Sequence, residues 1–202
     1  MKWLFLLLVA MALTSCGSNT SSANNAATKE VRTLYLVRHA KSSHDDPTLE
    51  DIDRPLNKRG KSDAKLMGEI LYDKGVRIDN MLISPSKRTR STAKRLAKQL
   101  DYDKDKIQID STIYRCRTQA LLAAIRSVDN QYKSLMVIGH NPSTIQVANH
   151  FQKDTIFTEV PTCGIVAIEF EGASWETLGH KEGDFKFFDY PKKYKVVDKD
   201  KN

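Results

Sequence analysis

Val31-Arg32-Thr33-Leu34-Tyr35-Leu36-Val37-Arg38-His39-Ala40-Lys41-Ser42 is the stretch that decides the fold. Its first seven residues are β-branched or apolar almost throughout, which suits a strand buried within a sheet. The run then stops at an arginine and a histidine, side chains that a purely structural loop has no need of. Downstream, helical and extended patterns alternate. Residues 58–74 place Ala64, Met67, Ile70 and Leu71 on one helical face, and 86–100 do the same with Ala93, Leu96, Ala97 and Leu100. A third helix over 118–128 carries Leu121, Leu122, Ile125 and Val128, and a fourth over 142–151 opens on Pro142. Residues 79–83 and 135–138 read as strands, and 165–170 with 174–178 as a hairpin turning at Glu171-Gly172-Ala173. Strands alternating with helices predict an α/β domain, a three-layer α/β/α arrangement with a mainly parallel sheet.

In such sheets ligands bind beyond the carboxyl ends of the strands. The first strand is followed by Arg38-His39-Ala40-Lys41-Ser42, the second by Ser84-Pro85-Ser86-Lys87-Arg88 and the third by Gly139-His140-Asn141-Pro142. Two arginines and two histidines converging on one cleft suit a tetrahedral dianion. The guanidinium fork matches phosphate oxygens and stays charged, and helix amino termini add positive field. The sequence has no G-x-S-x-G elbow and no C-x₅-R loop. A neutral imidazole can instead attack phosphorus and form a phosphohistidine that water hydrolyses, while a second histidine donates to the phosphoryl oxygens. On spacing alone, a structural role for either histidine stays open.

Four elements, in order, resemble those of the histidine phosphatase (phosphoglycerate-mutase-like) superfamily. Leu36-Val37-Arg38-His39-Ala40-Lys41-Ser42 is similar to its R-H-G signature, with Ala40 where glycine is usual. Asp53-Arg54-Pro55-Leu56-x-x-x-Gly60 resembles the element that opens its first helix. Ser84-Pro85-x-x-Arg88 followed by Thr92-Ala93, and Val137-Ile138-Gly139-His140-Asn141-Pro142, are similar to its second-arginine and second-histidine motifs. Pro161-Thr162-Cys163-Gly164 is similar to the SixA-type branch. The resemblance spans about residues 31–180 and implies a phosphoglycerate-mutase-like fold. It implies that His39 is the phosphorylated nucleophile and that Arg38, Arg88 and His140 complete the phosphate pocket. Asn141, Arg54 and Lys41 are substrate-binding candidates. Their alternatives are an N-cap for Asn141, a surface salt bridge for Arg54, and solvated or steering charge for Lys41 and Lys87. The larger branch protonates its leaving group with a glutamate after the second helix. Here that region reads Asp110-Ser111-Thr112-Ile113-Tyr114-Arg115, with Tyr114 near the glutamate position. Asp45, Asp46 and Asp53 are therefore the candidate proton donors. The implied function is a phosphatase for phosphomonoester or phosphohistidine substrates, working through phosphohistidine on His39 without cofactor or metal. Its partners would be a phosphorylated small molecule or a phosphoprotein. A phosphomutase and a non-catalytic phosphate-binding envelope lipoprotein are the alternatives.

The chain begins with a basic Met1-Lys2, then an apolar run over 3–13 too short to span a bilayer, then Leu13-Thr14-Ser15-Cys16. This resembles a bacterial lipobox, whose cysteine becomes the lipidated first residue. The expected organisation is a lipoprotein signal peptide (1–16), a flexible tether (17–30), the histidine phosphatase domain (31–190) and a loose tail (191–202). Several acyl chains on one residue give stable anchoring, so the expected location is the extracytoplasmic side of the bacterial cell envelope. Lysines and arginines number 32 against 25 acids, a formal charge of +7 that suits anionic partners. No aromatic–basic interleaving points to nucleic acid. Cys116 and Cys163 remain as candidates for a disulfide, His150 and His180 read as structural, and no cluster has metal-ligand spacing.

Overall fold

The computed structural model describes residues 30–154 and 157–195. The signal segment, Cys16 and nearly all of the tether lie outside the described residues, as does the tail beyond 195.

Among the described residues six strands form one sheet: β1 (Val31–Arg38), β2 (Asn80–Ile83), β3 (Gln108–Ile109), β4 (Ser134–Gly139), β5 (Ile165–Glu171) and β6 (Asp184–Asp189), in the order β3-β2-β4-β1-β5-β6. The pairs β3·β2, β2·β4 and β4·β1 are parallel, whereas β5 runs antiparallel to both β1 and β6. The sheet is thus mixed, with β5 the single reversed strand. Side chains alternate across it with the two-residue period of a strand. Leu34 and Leu36 enter the core covered by α3 (Thr118–Arg126) and α4 (Ser143–Phe151). Tyr35 and Val37 enter the one covered by α1 (Lys58–Asp73) and α2 (Lys87–Gln99). This is the expected three-layer arrangement, and the apolar helix positions read from the sequence line both cores.

Two features differ from expectation, and one candidate pairing left open by the sequence is not formed. The partner of β5 is β6, not residues 174–178. Trp175 and Leu178 are both buried, and their spacing of three is not a strand's spacing. The Trp175 indole N–H donates to the Tyr132 carbonyl (2.8 Å) and its backbone N–H to Asn130 Oδ1 (2.8 Å), so the segment plugs one end of a core instead of pairing. The chain past Tyr190 continues as a turn of helix, α5 (Lys192–Lys195), with Tyr194 packed against the core and Lys193 paired to Asp189 (3.1 Å). No disulfide joins Cys116 to Cys163. The first packs against the α3/α4 core and the second is buried in the α1/α2 core, on the opposite side of the sheet.

Candidate active site

Parallel pairing of β1 with β4 sets Arg38 opposite Gly139, so His39 and His140 leave adjacent strands at the same level. The His39 N–H donates to the Gly139 carbonyl (3.1 Å), and the two rings lie 5.1 Å apart, close to the spacing of neighbouring strands. Pairing of β2 with β4 brings Ser84 beside them, its N–H on the Ile138 carbonyl (3.2 Å) and its hydroxyl on His140 Nε2 (2.8 Å). Ser86 caps α2, placing Arg88 in its first turn. From the other side, the Cys163 N–H is shared between the Arg38 (3.0 Å) and His39 (3.2 Å) carbonyls. Cys163 adopts a positive φ of 60° to do so, a conformation uncommon for a residue with a side chain.

Hydrogen bonds fix the tautomer of His39. Its Nδ1 lies 2.8 Å from the Ala40 carbonyl, which can only accept, so the proton sits on Nδ1 and the lone pair on Nε2. Arg88 Nε points at that lone pair from 3.3 Å. Burial, then the charges of Arg88, Arg38 and Arg54, hold the imidazole neutral, with its pKa down at about 4 despite the opposing pull of the Ala40 carbonyl. His140 is held neutral too, at about 3, by burial and then by its neighbours His39 and Arg88. Arg88 Nη2 approaches His140 Nδ1 (3.4 Å), which leaves Nε2–H to face the Ser84 hydroxyl.

Arg38 donates from Nη1 to the Val160 carbonyl (2.9 Å), while its buried Nε has no partner among the described residues. Desolvation lowers the pKa of this guanidinium. The Asn141 amide donates to the same Val160 carbonyl (3.0 Å), and its buried Oδ1 has no partner among the described residues. It does not cap α4, whose N-cap is Pro142. An unpaired guanidinium nitrogen near a neutral imidazole has the donor chemistry that suits a tetrahedral oxyanion.

The carboxylate at this pocket is one that sequence reasoning missed. Asp51 lies in the turn 51–53, where Oδ2 accepts from Arg88 Nη2 (3.0 Å), Tyr114 Oη (2.9 Å) and Arg115 Nη2 (3.2 Å), and Oδ1 from Arg54 Nη1 (2.9 Å). Its backbone carbonyl also accepts from Arg88 Nη1. Burial pushes its carboxyl up, but the Tyr114 and Arg88 hydrogen bonds and the two guanidinium charges outweigh it and hold the group well below the usual carboxylate range. The i, i+3 spacing from Asp51 to Arg54 was the available signal. Asp45, Asp46 and Asp53 are exposed and none bonds to a pocket residue, Asp46 being occupied by Thr48. Arg54 forms the alternative salt bridge, and it also ties down the loop after β1 through Ser42 Oγ (2.7 Å), the Ser43 carbonyl (3.1 Å) and His44. Tyr114 stacks edge-on to His140 at 5.7 Å, and burial, then Asp51, raises its phenol pKa. Lys41 contributes its backbone, whose carbonyl accepts from the Asn57 N–H (3.1 Å).

The profile of the histidine phosphatase superfamily (branch 1) matches residues 34–114. An uncharacterised chloroplastic protein of Arabidopsis thaliana is 30% identical over 162 residues, covering 76% of this chain and 73% of its own. The mitochondrial serine/threonine-protein phosphatase Pgam5 of Drosophila willistoni is 33% identical over 79 residues, 39% of this chain and 26% of its own. Among solved structures, SixA of Nakamurella multipartitia superposes with a TM-score of 0.71 at 18% identity, covering 81% of this chain and 98% of its own. The protein histidine phosphatase SixA complexed with tungstate gives 0.69 at 20% identity, covering 80% and 98%. These likenesses carry the fold.

Proposed function

The chain belongs to the histidine phosphatase superfamily, and from that premise we propose that it is a phosphatase working through a phosphohistidine on His39. The observation that carries the reading is the Nδ1 bond to the Ala40 carbonyl, which leaves a neutral Nε2 facing the pocket. In the first step the Nε2 lone pair forms a P–N bond as the P–O or P–N bond to the leaving group breaks, the electron pair leaving with that group. Arg38 and Arg88 bind the phosphoryl oxygens, whose charge is spread over the equatorial positions in the transition state, and His140 joins them when substrate displaces Arg88 from its Nδ1, the proton moving there while Nε2 accepts from the Ser84 hydroxyl. In the second step water attacks phosphorus, the P–N bond to His39 breaks, and phosphate leaves. The tungstate in the SixA complex is a tetrahedral oxyanion of the shape this pocket suits. Substrates are phosphomonoesters or phosphohistidine. With Cys16 as a lipid attachment point, the reaction would run at the extracytoplasmic face of the envelope.

The test is a trapping experiment on a turned-over aryl phosphate. Acid-labile, base-stable radiolabel from [³²P]phosphate ester is expected on His39 after rapid quenching, and His39→Ala should carry no label and lose turnover. Normal turnover by His39→Ala overturns the mechanism. Arg88→Ala should lose about 10²–10³-fold in rate, the usual cost of removing one charge-directed transition-state donor.

A further inference from the structure

Between its caps α2 holds six cations, Lys87, Arg88, Arg90, Lys94, Arg95 and Lys98, and no acid. Arg88 is committed to the pocket, and Arg95 folds back onto the Ser91 carbonyl (2.9 Å). Lys87, Arg90, Lys94 and Lys98 are exposed. Their i, i+3, i+7, i+11 spacing sets them in one row along a single face, about 16 Å from end to end. Among the described residues none of the four forms a salt bridge, although other surface lysines do. Local stability does not explain the row. Lys87 and Arg90 crowd the positive end of the helix dipole, and Arg90–Lys94 and Lys94–Lys98 are like-charge pairs one turn apart, both unfavourable placements.

The row starts beside Arg88 and runs away from the pocket mouth. Where Asp51 meets Arg88 the charge reverses. The loop joined to α2 by the Asp51–Arg88 pair exposes Asp45, Asp46, Glu50 and Asp53. A uniformly anionic surface, such as a lipid bilayer or a nucleic acid, that covered both the row and the pocket it starts from would also meet the loop's four exposed carboxylates. A polypeptide can set its own acids against the row alone. We propose that this row docks an acidic segment of a phosphoprotein substrate, a reading that rests on the phosphatase assignment above and narrows its substrates to proteins. An extended segment rises about 3.3 Å per residue, so some five residues cover the row. Because Lys87 adjoins Arg88, the acids should begin within a few residues of the phosphorylated one.

The test compares phosphotyrosine peptides of one length carrying four glutamates or four glutamines on one flank, in separate amino- and carboxyl-side series. The wild-type protein should favour the glutamate peptide of one series by about five- to fifty-fold in kcat/KM, as several exposed ion pairs of ordinary strength imply. That preference should vanish in the triple variant Arg90→Glu/Lys94→Glu/Lys98→Glu and in 1 M salt, where screening length falls to about 3 Å. Turnover of p-nitrophenyl phosphate by the triple variant should match wild type, showing an intact pocket. Three results overturn the docking proposal: equal use of both peptides by wild type, a preference that survives in the triple variant, or an equal loss on p-nitrophenyl phosphate. Row-dependent sedimentation with phosphatidylglycerol vesicles, without peptide preference, would assign the row to a membrane instead. If wild type turns over neither peptide nor aryl phosphate, the phosphatase reading itself falls, and this proposal with it.

Discussion

At the scale of single residues, the protonation of His39 carries the clearest consequence. An unperturbed imidazole titrates near ~6.5. Here burial and three guanidinium charges bring His39 to about 4, a penalty of roughly 3 kcal/mol against the imidazolium. The reactive form is the neutral one, present above that pKa and lost as pH falls through it. Once the substrate's own second ionisation is allowed for, kcat/KM should hold level from pH 7 to about 5 and then fall tenfold per unit below about 4. A limb at pH 6–7 would mean that the pocket does not hold His39 neutral. Asp51 is the second case. Held ionised by Tyr114, Arg88 and Arg115, it has no proton to give a leaving group at neutral pH, and of the pocket cations it is Arg88 that it holds in place. We therefore expect wild-type kcat/KM to fall steeply with leaving-group pKa. Asp51→Asn should reduce aryl and alkyl phosphates by a similar factor, about tenfold, because what it loses is the placement of Arg88. A selective loss on alkyl esters would instead make Asp51 the proton donor. The convergence of Arg38, His39, Arg88 and His140 was legible because each ends or follows a strand or opens a helix, where parallel sheets gather ligands. Asp51 was not, since its role arises only when its loop closes over Arg88.

At the scale of elements, Gly60 shows why the opening of α1 has the sequence it has. Asn57 caps the helix through the Gly60 N–H (2.8 Å), and the turn lies so close to the loop after β1 that a Cβ on residue 60 would overlap the Lys41 carbonyl. Alanine would favour the helix by up to about 1 kcal/mol. The overlap falls on backbone and cannot be relieved by a rotamer change, so overpacking of about 1–3 kcal/mol should outweigh it. Gly60→Ala is expected to lower Tm by several degrees in thermal unfolding, and an unchanged Tm would refute the close approach. The same scale holds the misread hairpin. Residues 174–178 follow a strand and contain Trp175 and Leu178, yet these sit three apart and both are buried. A period of two would have set them on opposite faces. The true partner, β6, reads Asp-Phe-Lys-Phe-Phe-Asp, and the register shift between Ala167 and Ile168 blurs its alternation.

At the scale of the whole molecule, the two cores divide the labour. The α1/α2 core carries the helices that present Arg88 and hold the loop after β1, and the α3/α4 core backs β4 as it delivers His140. The fold class, the apolar faces of three helices and the place of the fourth were readable because periodicity follows local geometry. The direction of β5 against β1 and the short edge β3 were not, because strand direction and edge pairing are settled by distant segments.

The sheet order has a further consequence, in the rates at which backbone amides trade their protons with deuterated water. The two histidines hang from β1 and β4, the central pair, each with a strand on both sides, while β3 and β6 form the borders. Border strands open in local fluctuations that need only part of the molecule to give way, whereas the central pair opens with the whole domain. Amides at 34–37 and 135–138 should therefore be among the slowest to exchange in native-state labelling, at a protection set by the global unfolding free energy, and those of 108–109 and 184–189 should exchange sooner. Fraying at the borders would then leave the spacing between His39 and His140 undisturbed, because that spacing is written into the last part of the sheet to let go.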